Sequence, residues 1–358
     1  MNTLRAALRL ARWLGPWTPE AQAPGRVRRR ELWVPPGPGA PSFPAWLYLP
    51  PRRVTGALLV VPGLHFAGPA DPRLDRFCRV LADAGLLTLA PFLPDFARMR
   101  VEPTLGRDAE RAFDALLEAP ERPPDRLPGV LSISFGSLPA IDLASRRHDV
   151  GGLMLYGGYA DFRDAIRFSL AGAEGRAHDP LNQCVVFMNL VEHMDVDEPE
   201  RLYAAWMEYV HTTWGRPHLK KREAYAPWAR TLAARRLEGR DAETFLVTTG
   251  VLPGAVERME AALAQKPTDH LDPLDRARQV HCPAIVAHGR DDDVIPFEQA
   301  PKLAAAIPGA QLWVTGLYTH TGPARSAELL RALPRELRAM AGIVTGMART
   351  GVGARLAL

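Results

Sequence analysis

Residues 129–137 read Gly129-Val130-Leu131-Ser132-Ile133-Ser134-Phe135-Gly136-Ser137, a short apolar run that breaks into small residues and then opens a helix-like stretch. An apolar run of this length, bounded by turn residues, is the pattern of a strand buried on both faces of a parallel sheet. A serine on so sharp a strand-to-helix turn needs small residues two before and two after it, because larger side chains would clash across the strained bend. Ser134 has Ser132 and Gly136 at those places. Ser132 lies within the strand itself and has Val130 two residues before it, so Ser134 is the candidate nucleophile.

The same alternation of strand and helix extends outward on both sides. Segments 57–62, 86–90, 152–156, 283–288 and 311–314 read as further strands, and 29–34 with 44–49 read as a hairpin around the turn-rich PPGPGAPSF. Asp71-Pro72 offers a helix cap, Leu74, Phe77, Cys78 and Leu81 follow at helical spacing, and Gly85 closes that helix. Further helices are expected near 107–119, 135–147, 298–306 and 323–340. From about 163 to 275 the periodicity is helical throughout, as in Tyr203, Trp206, Met207, Val210 and Trp214 behind Asp197-Glu198-Pro199. Eight strands alternating with helices predict an α/β fold: a mostly parallel eight-stranded sheet flanked by helices, interrupted by a helical insertion. The expected organisation is an N-terminal amphipathic segment at 1–24, core at 25–162, cap at 163–275 and core again at 276–358.

Composition excludes several classes. At 358 residues, 47% hydrophobic and 23% charged, with 29 Gly and 34 Pro, the chain is neither collagen-like nor low-complexity. The net charge of +4 does not argue for nucleic acid, because residues 1–30 hold seven arginines against one acid, Glu20, and leave the rest of the chain slightly acidic. Cys78, Cys184 and Cys282 are odd in number and widely spaced, which implies neither a disulfide framework nor a zinc cluster and suits the cytoplasm. Arg5, Arg9 and Arg12 interrupt what would have to be the apolar run of a signal peptide and share one helical face. Residues 3–14 therefore read as an amphipathic helix docked on the protein's own body, with peripheral membrane contact as the alternative. No 18-residue apolar stretch predicts a membrane span. HExxH, GxxxxGK[ST] and a helix-opening GxGxxG are all missing, so no metal or organic cofactor is implied. The acid-rich His193-Met194-Asp195-Val196-Asp197-Glu198 reads as a solvated helix start rather than a metal site.

Over about 54–162 and 276–340 the chain resembles the α/β-hydrolase superfamily. Three features carry the resemblance: the Ser132-x-Ser134-x-Gly136 turn, the segment His288-Gly289-Arg290-Asp291-Asp292-Asp293-Val294-Ile295-Pro296 behind Cys282-Pro283 and an apolar strand, and Thr319-His320-Thr321-Gly322 after the last strand. The order Ser134, Asp292, His320 is the order of that family's catalytic triad. Asp291 and Asp293 adjoin Asp292, and Asp161 stands after the strand at 152–156, where some lipase-like relatives place the acid; all three stay open as alternatives. The resemblance also implies an oxyanion hole from the backbone N–H groups of Phe135 and of Leu64 in the loop Pro62-Gly63-Leu64-His65, where proline replaces the family's usual histidine. His65 reads as a loop-stabilising residue.

By resemblance, the chain is a serine hydrolase that cleaves a small-molecule carboxylic ester with an apolar part, through an acyl-enzyme and without a cofactor. The same triad would serve acyl transfer, or cleavage of amides, thioesters or C–C bonds. A non-catalytic binding protein would need only the fold, and retention of all three triad residues argues against it. The insertion falls where the family places a cap over the serine. Trp206, Met207, Trp214, Tyr225 and Trp228 are candidates to line an apolar pocket there, the simpler reading of each being the cap's own core.

Overall fold

The computed structural model describes residues 2–15, 18–19, 21–173, 176, 178–317 and 333–353. Eight strands form one sheet: β1 (Arg28–Val34), β2 (Phe43–Leu49), β3 (Gly56–Val61), β4 (Leu86–Pro91), β5 (Gly129–Ile133), β6 (Leu153–Tyr156), β7 (Ala284–Gly289) and β8 (Gln311–Thr315). Their order across the sheet is β1-β2-β4-β3-β5-β6-β7-β8. The β1–β2 and β2–β4 pairs are antiparallel and every pair from β4–β3 onward is parallel. β3 and β4 are buried along their whole length, which is why their sequences are continuous apolar runs rather than alternating ones.

In chain order the helices are α1 (Asn2–Leu14), α2 (Pro72–Asp83), α3 (Pro94–Ala97), α4 (Leu105–Leu117), α5 (Ser137–Arg146), α6 (Phe162–Ala171), α7 (Gln183–Met188), α8 (Pro199–Thr213), α9 (Arg222–Arg236), α10 (Gly239–Thr248), α11 (Ala255–Leu263), α12 (Leu274–Ala277), α13 (Gln299–Ala306) and α14 (Leu333–Val352). Two compact units result. The larger comprises the described parts of 1–160, 272–292 and 297–358, and the smaller comprises 161–271 with 293–296.

In the larger unit, the side chain of Asp71 accepts from Arg73 N–H and caps α2, with Pro72 at the first helical position. The amphipathic N-terminal helix is part of this unit: Ala6, Ala7 and Leu10 of α1 are buried in one cluster with Ile343, Val344, Met347 and Ala348 of α14. The C-terminal helix differs from expectation. Its anticipated start, from 323, lies outside the described residues, and it runs on to Val352 instead of ending at 340. Glycines there look like helix breakers in the sequence, yet they let the helix lie against the sheet: a Cβ at Gly342 would meet the Trp313 ring at 2.4 Å, and one at Gly351 would meet Leu86 at 2.4 Å.

The smaller unit has its own core, and among its described residues there is no strand beyond an Ala173–Arg176 bridge. Trp206 is fully buried and donates its Nε1–H to Thr248 Oγ1 at 2.9 Å, while Tyr209 and Phe245 are buried edge to face. Trp206 and Tyr225 are thus core residues of this unit, whereas Met207, Trp214 and Trp228 are half-buried. Lys220 Nζ bridges Asp179 Oδ2 at 2.7 Å and Asp293 Oδ2 at 2.8 Å, tying residue 293 into this unit. The His193–Glu198 stretch is used internally: the Asp197 and Glu198 N–H groups donate to Asp241, and Asp195 pairs with Arg240 at 2.6 Å.

Candidate active site

The sheet order brings two chain segments together. From β3 the chain crosses to β4 on one side, and from β5 it crosses to β6 on the other, so the adjacent ends of β3 and β5 form a topological switch point, where loops splay apart and leave a crevice. Val61 is in register with Ser132, so both strands end at the same level. The loop 62–67 leaves one strand there, and Ser134 follows the other.

Ser134 sits in a left-handed backbone conformation, φ +55°, directly after the extended Ile133. Met99 is the only other non-glycine among the described residues with positive φ. Such a conformation costs of order 1–3 kcal/mol and persists only where the surroundings enforce it. Here they do: the 3-10 turn Ser134–Gly136 and then α5 follow at once, and a Cβ on Gly136 would fall 2.3 Å from Pro62 O. Only glycine lets the β3 end and the turn approach so closely. On the other flank, a Cβ on Gly63 would stand 3.2 Å from Ser134 Cβ. The backbone of the 62–64 loop therefore passes directly beside the serine, and the Leu64 N–H has no acceptor among the described residues. Phe135 begins the turn into α5, and its ring packs on Tyr159 at 5.1 Å. The serine, the start of the turn into α5 and the 62–64 loop are thus neighbours at the ends of β3 and β5.

His65 binds its own loop. Its Nδ1 accepts from Ala67 N–H at 3.1 Å, which leaves the proton on Nε2, 3.2 Å from Asp71 Oδ2. Desolvation pushes the Asp71 carboxyl upward, but hydrogen bonds and charge from Arg73, with the neighbouring His65, outweigh it and hold its pKa below the ordinary value.

Asp292 follows β7 and is 3% exposed. The turn after β7 folds it back onto the strand, so that its Oδ2 lies 3.2 Å from Nε2 of the fully buried His288. The other candidate acids are employed or placed differently: Asp291 is exposed, Asp293 is held by Lys220, and Asp161 caps α6 by accepting from Asp164 N–H at 2.9 Å. His320 lies outside the described residues. The chain leading toward it leaves β8 at Thr315, where the buried Glu336 of α14 accepts from Thr315 Oγ1 at 2.8 Å and from Gly316 N–H at 2.7 Å. Burial raises the Glu336 carboxyl, but these bonds and Arg335 prevail and its pKa lies below the ordinary value.

Sequence reasoning missed the His288–Asp292 and Glu336–Gly316 contacts. The first had a legible signal in the four-residue spacing across a strand end. The second had a fainter one, a lone acid in a helix otherwise apolar and basic. Among the described residues, no cluster of three or more His, Cys, Asp or Glu could hold a metal ion.

No family model matches the sequence, and no curated protein matches it. Solved structures do match its fold. The chain superposes on an acylaminoacyl peptidase from Pyrococcus horikoshii with a TM-score of 0.50 and 12% identity, over 93% of this chain and 43% of the peptidase. It therefore spans less than half the length of that protein. It superposes on an esterase from Pyrococcus furiosus with a TM-score of 0.50 and 13% identity, over 95% of this chain and 96% of the esterase. The chain has the α/β-hydrolase fold.

Proposed function

We propose that the chain is a serine hydrolase that cleaves a carboxylic ester with an apolar part, using Ser134, His320 and Asp292. The left-handed backbone of Ser134 at the β3–β5 switch point carries this reading. It is a strained position with no structural benefit of its own, and strain of that kind is tolerated where it presents a reactive group. Ser134 Oγ attacks the acyl carbonyl and gives its proton to His320. The Leu64 and Phe135 N–H groups receive the negative oxygen, fixed in place before the reaction and so without reorganisation during it. Asp292, buried and oriented by His288, sets the imidazole's tautomer. His320 then protonates the leaving alcohol, and water repeats the sequence to free the acid. The residues next along the chain from Gly63 and Ser134, Leu64 and Phe135, are apolar, which supports an apolar substrate part.

The test is intact-mass analysis and peptide mapping after reaction with a fluorophosphonate, on wild type and Ser134→Ala. Stoichiometric modification at Ser134, lost in the variant, is the expected result, and an ester, thioester and amide panel then ranks substrates. A folded wild-type chain that takes up no label overturns the reading.

A further inference from the structure

The α1–α14 helix pair of the larger unit has an outward face that the proposed reaction does not use. α1 turns Ala6, Ala7 and Leu10 into the core. At about 100° per residue, Leu4, Leu8, Arg12, Arg5 and Arg9 follow one another around its opposite side. Leu4 and Leu8 are 66% and 64% exposed, and neither Arg5 nor Arg9 pairs with a carboxylate among the described residues. α14 also exposes leucines and arginines, but on different sides: at about 100° per residue, Leu333 and Leu337 stand roughly 100° or more around the helix from Arg338 and Arg349. Its Leu333 and Leu337 are 44% and 56% exposed, and Arg338 and Arg349 are exposed and without an ion pair among the described residues. Neither helix supplies an acid to offset these charges: α1 contains none, and the single acid of α14, Glu336, is buried on Thr315 and Gly316.

We propose that the outer face of α1 is a docking surface for an anionic membrane, with Leu4 and Leu8 entering the boundary between headgroups and acyl chains and Arg5 and Arg9 meeting the lipid phosphates. Leucine beside arginine on one helical face is the composition that such a boundary stabilises, since it accepts apolar side chains and positive charge together. A second copy of the chain fits poorly, because a two-fold contact through this face would set arginines against arginines with no acid from α1 on either side. Nucleic acid would meet the arginines and leave the leucines in water. The contact is peripheral, since no helix among the described residues is long and apolar enough to cross a membrane.

Cosedimentation of the full chain with phosphatidylcholine vesicles, and with vesicles containing one-third phosphatidylserine, tests this without reference to hydrolysis. Binding to the anionic vesicles is expected, with release near ~1 M salt, where the Debye length shrinks to about 3 Å. Arg5→Gln/Arg9→Gln should weaken it by roughly fivefold per arginine. Leu4→Glu/Leu8→Glu should weaken it about tenfold or more while leaving the circular-dichroism melt unchanged, since both side chains are exposed. No binding to anionic vesicles, equal binding to neutral ones, or leucine variants that bind like wild type would each overturn the proposal. So would a dimer in sedimentation velocity that Leu4→Glu/Leu8→Glu dissolves, which would give the face to a second copy.

Discussion

His288 Nε2 stands 3.2 Å from Asp292 Oδ2, with both side chains essentially removed from solvent. A buried carboxylate needs such donors, and taking one away costs about 1–3 kcal/mol. His288→Ala is therefore expected to lower the unfolding free energy, measured by denaturant titration, by that amount. It should also slow fluorophosphonate labelling of Ser134 by at least about tenfold if Asp292 is the acid proposed above, since misplacing a catalytic group by an ångström costs up to about 100-fold. Labelling at the wild-type rate in a destabilised variant would confine His288 to a structural role.

Two glycines beside the serine should respond unequally. Gly136→Ala would drive a Cβ to 2.3 Å from Pro62 O, a backbone atom that moves only with the loop bearing Leu64. Labelling should fall by about 100-fold or more. Gly63→Ala places its Cβ 3.2 Å from Ser134 Cβ, tight but within reach of small adjustments, so the loss of stability should stay near 1 kcal/mol. Equal effects from the two, read by labelling kinetics and urea unfolding, would contradict the geometry.

Ser132 occupies the small-residue position two before Ser134, fully buried, and its Oγ has no hydrogen-bond partner among the described residues. Removing a stranded buried hydroxyl relieves its desolvation, so Ser132→Ala should raise stability by about 1 kcal/mol without slowing labelling. A destabilised Ser132→Ala in a thermal melt would mean that the hydroxyl has a role that packing does not account for.

Glu336 should leave a signature in acid. Its folded pKa lies below the ordinary 4.5, so its contribution is complete above pH 4.5 and is lost as the pH falls through the folded value. Glu336→Gln should cost about 1.5–3 kcal/mol at neutral pH, the range for hydrogen bonds to a charged group, and should flatten this part of the acid limb. Urea titrations of both chains across the acid range check this. Parallel curves would place the acid sensitivity in other carboxylates, Asp71 among them.

The inner strands were legible because each is an apolar run bounded by turn residues, a pattern that burial on both faces imposes directly, whereas the exposed β1 was legible, with β2, from the turn-rich segment that joins them. Ser134 was legible because small residues surround it at the two places where the turn admits nothing larger. α14 was misjudged in extent: its glycines signal an end in isolation and become close contacts only once Trp313 and Leu86 are beneath them. The role of His65 was legible in part, since a histidine within a tight loop finds local partners, but its partner Asp71 came from the cap of the next helix.

The sequence by itself determined most of the elements, the inserted helical stretch and the tight turn that bears Ser134, because periodicity and local sterics act over a few neighbouring positions. Tertiary structure decided what those residues meet. It set Gly63 against Ser134, folded Asp292 onto His288, fixed Thr315 and Gly316 with a carboxylate from the far helix, and turned Leu4 and Leu8 outward while Leu10 went in. Such pairings depend on strand order and on which helix face the core accepts, and both are set by the packing of the whole unit rather than by any local stretch of chain.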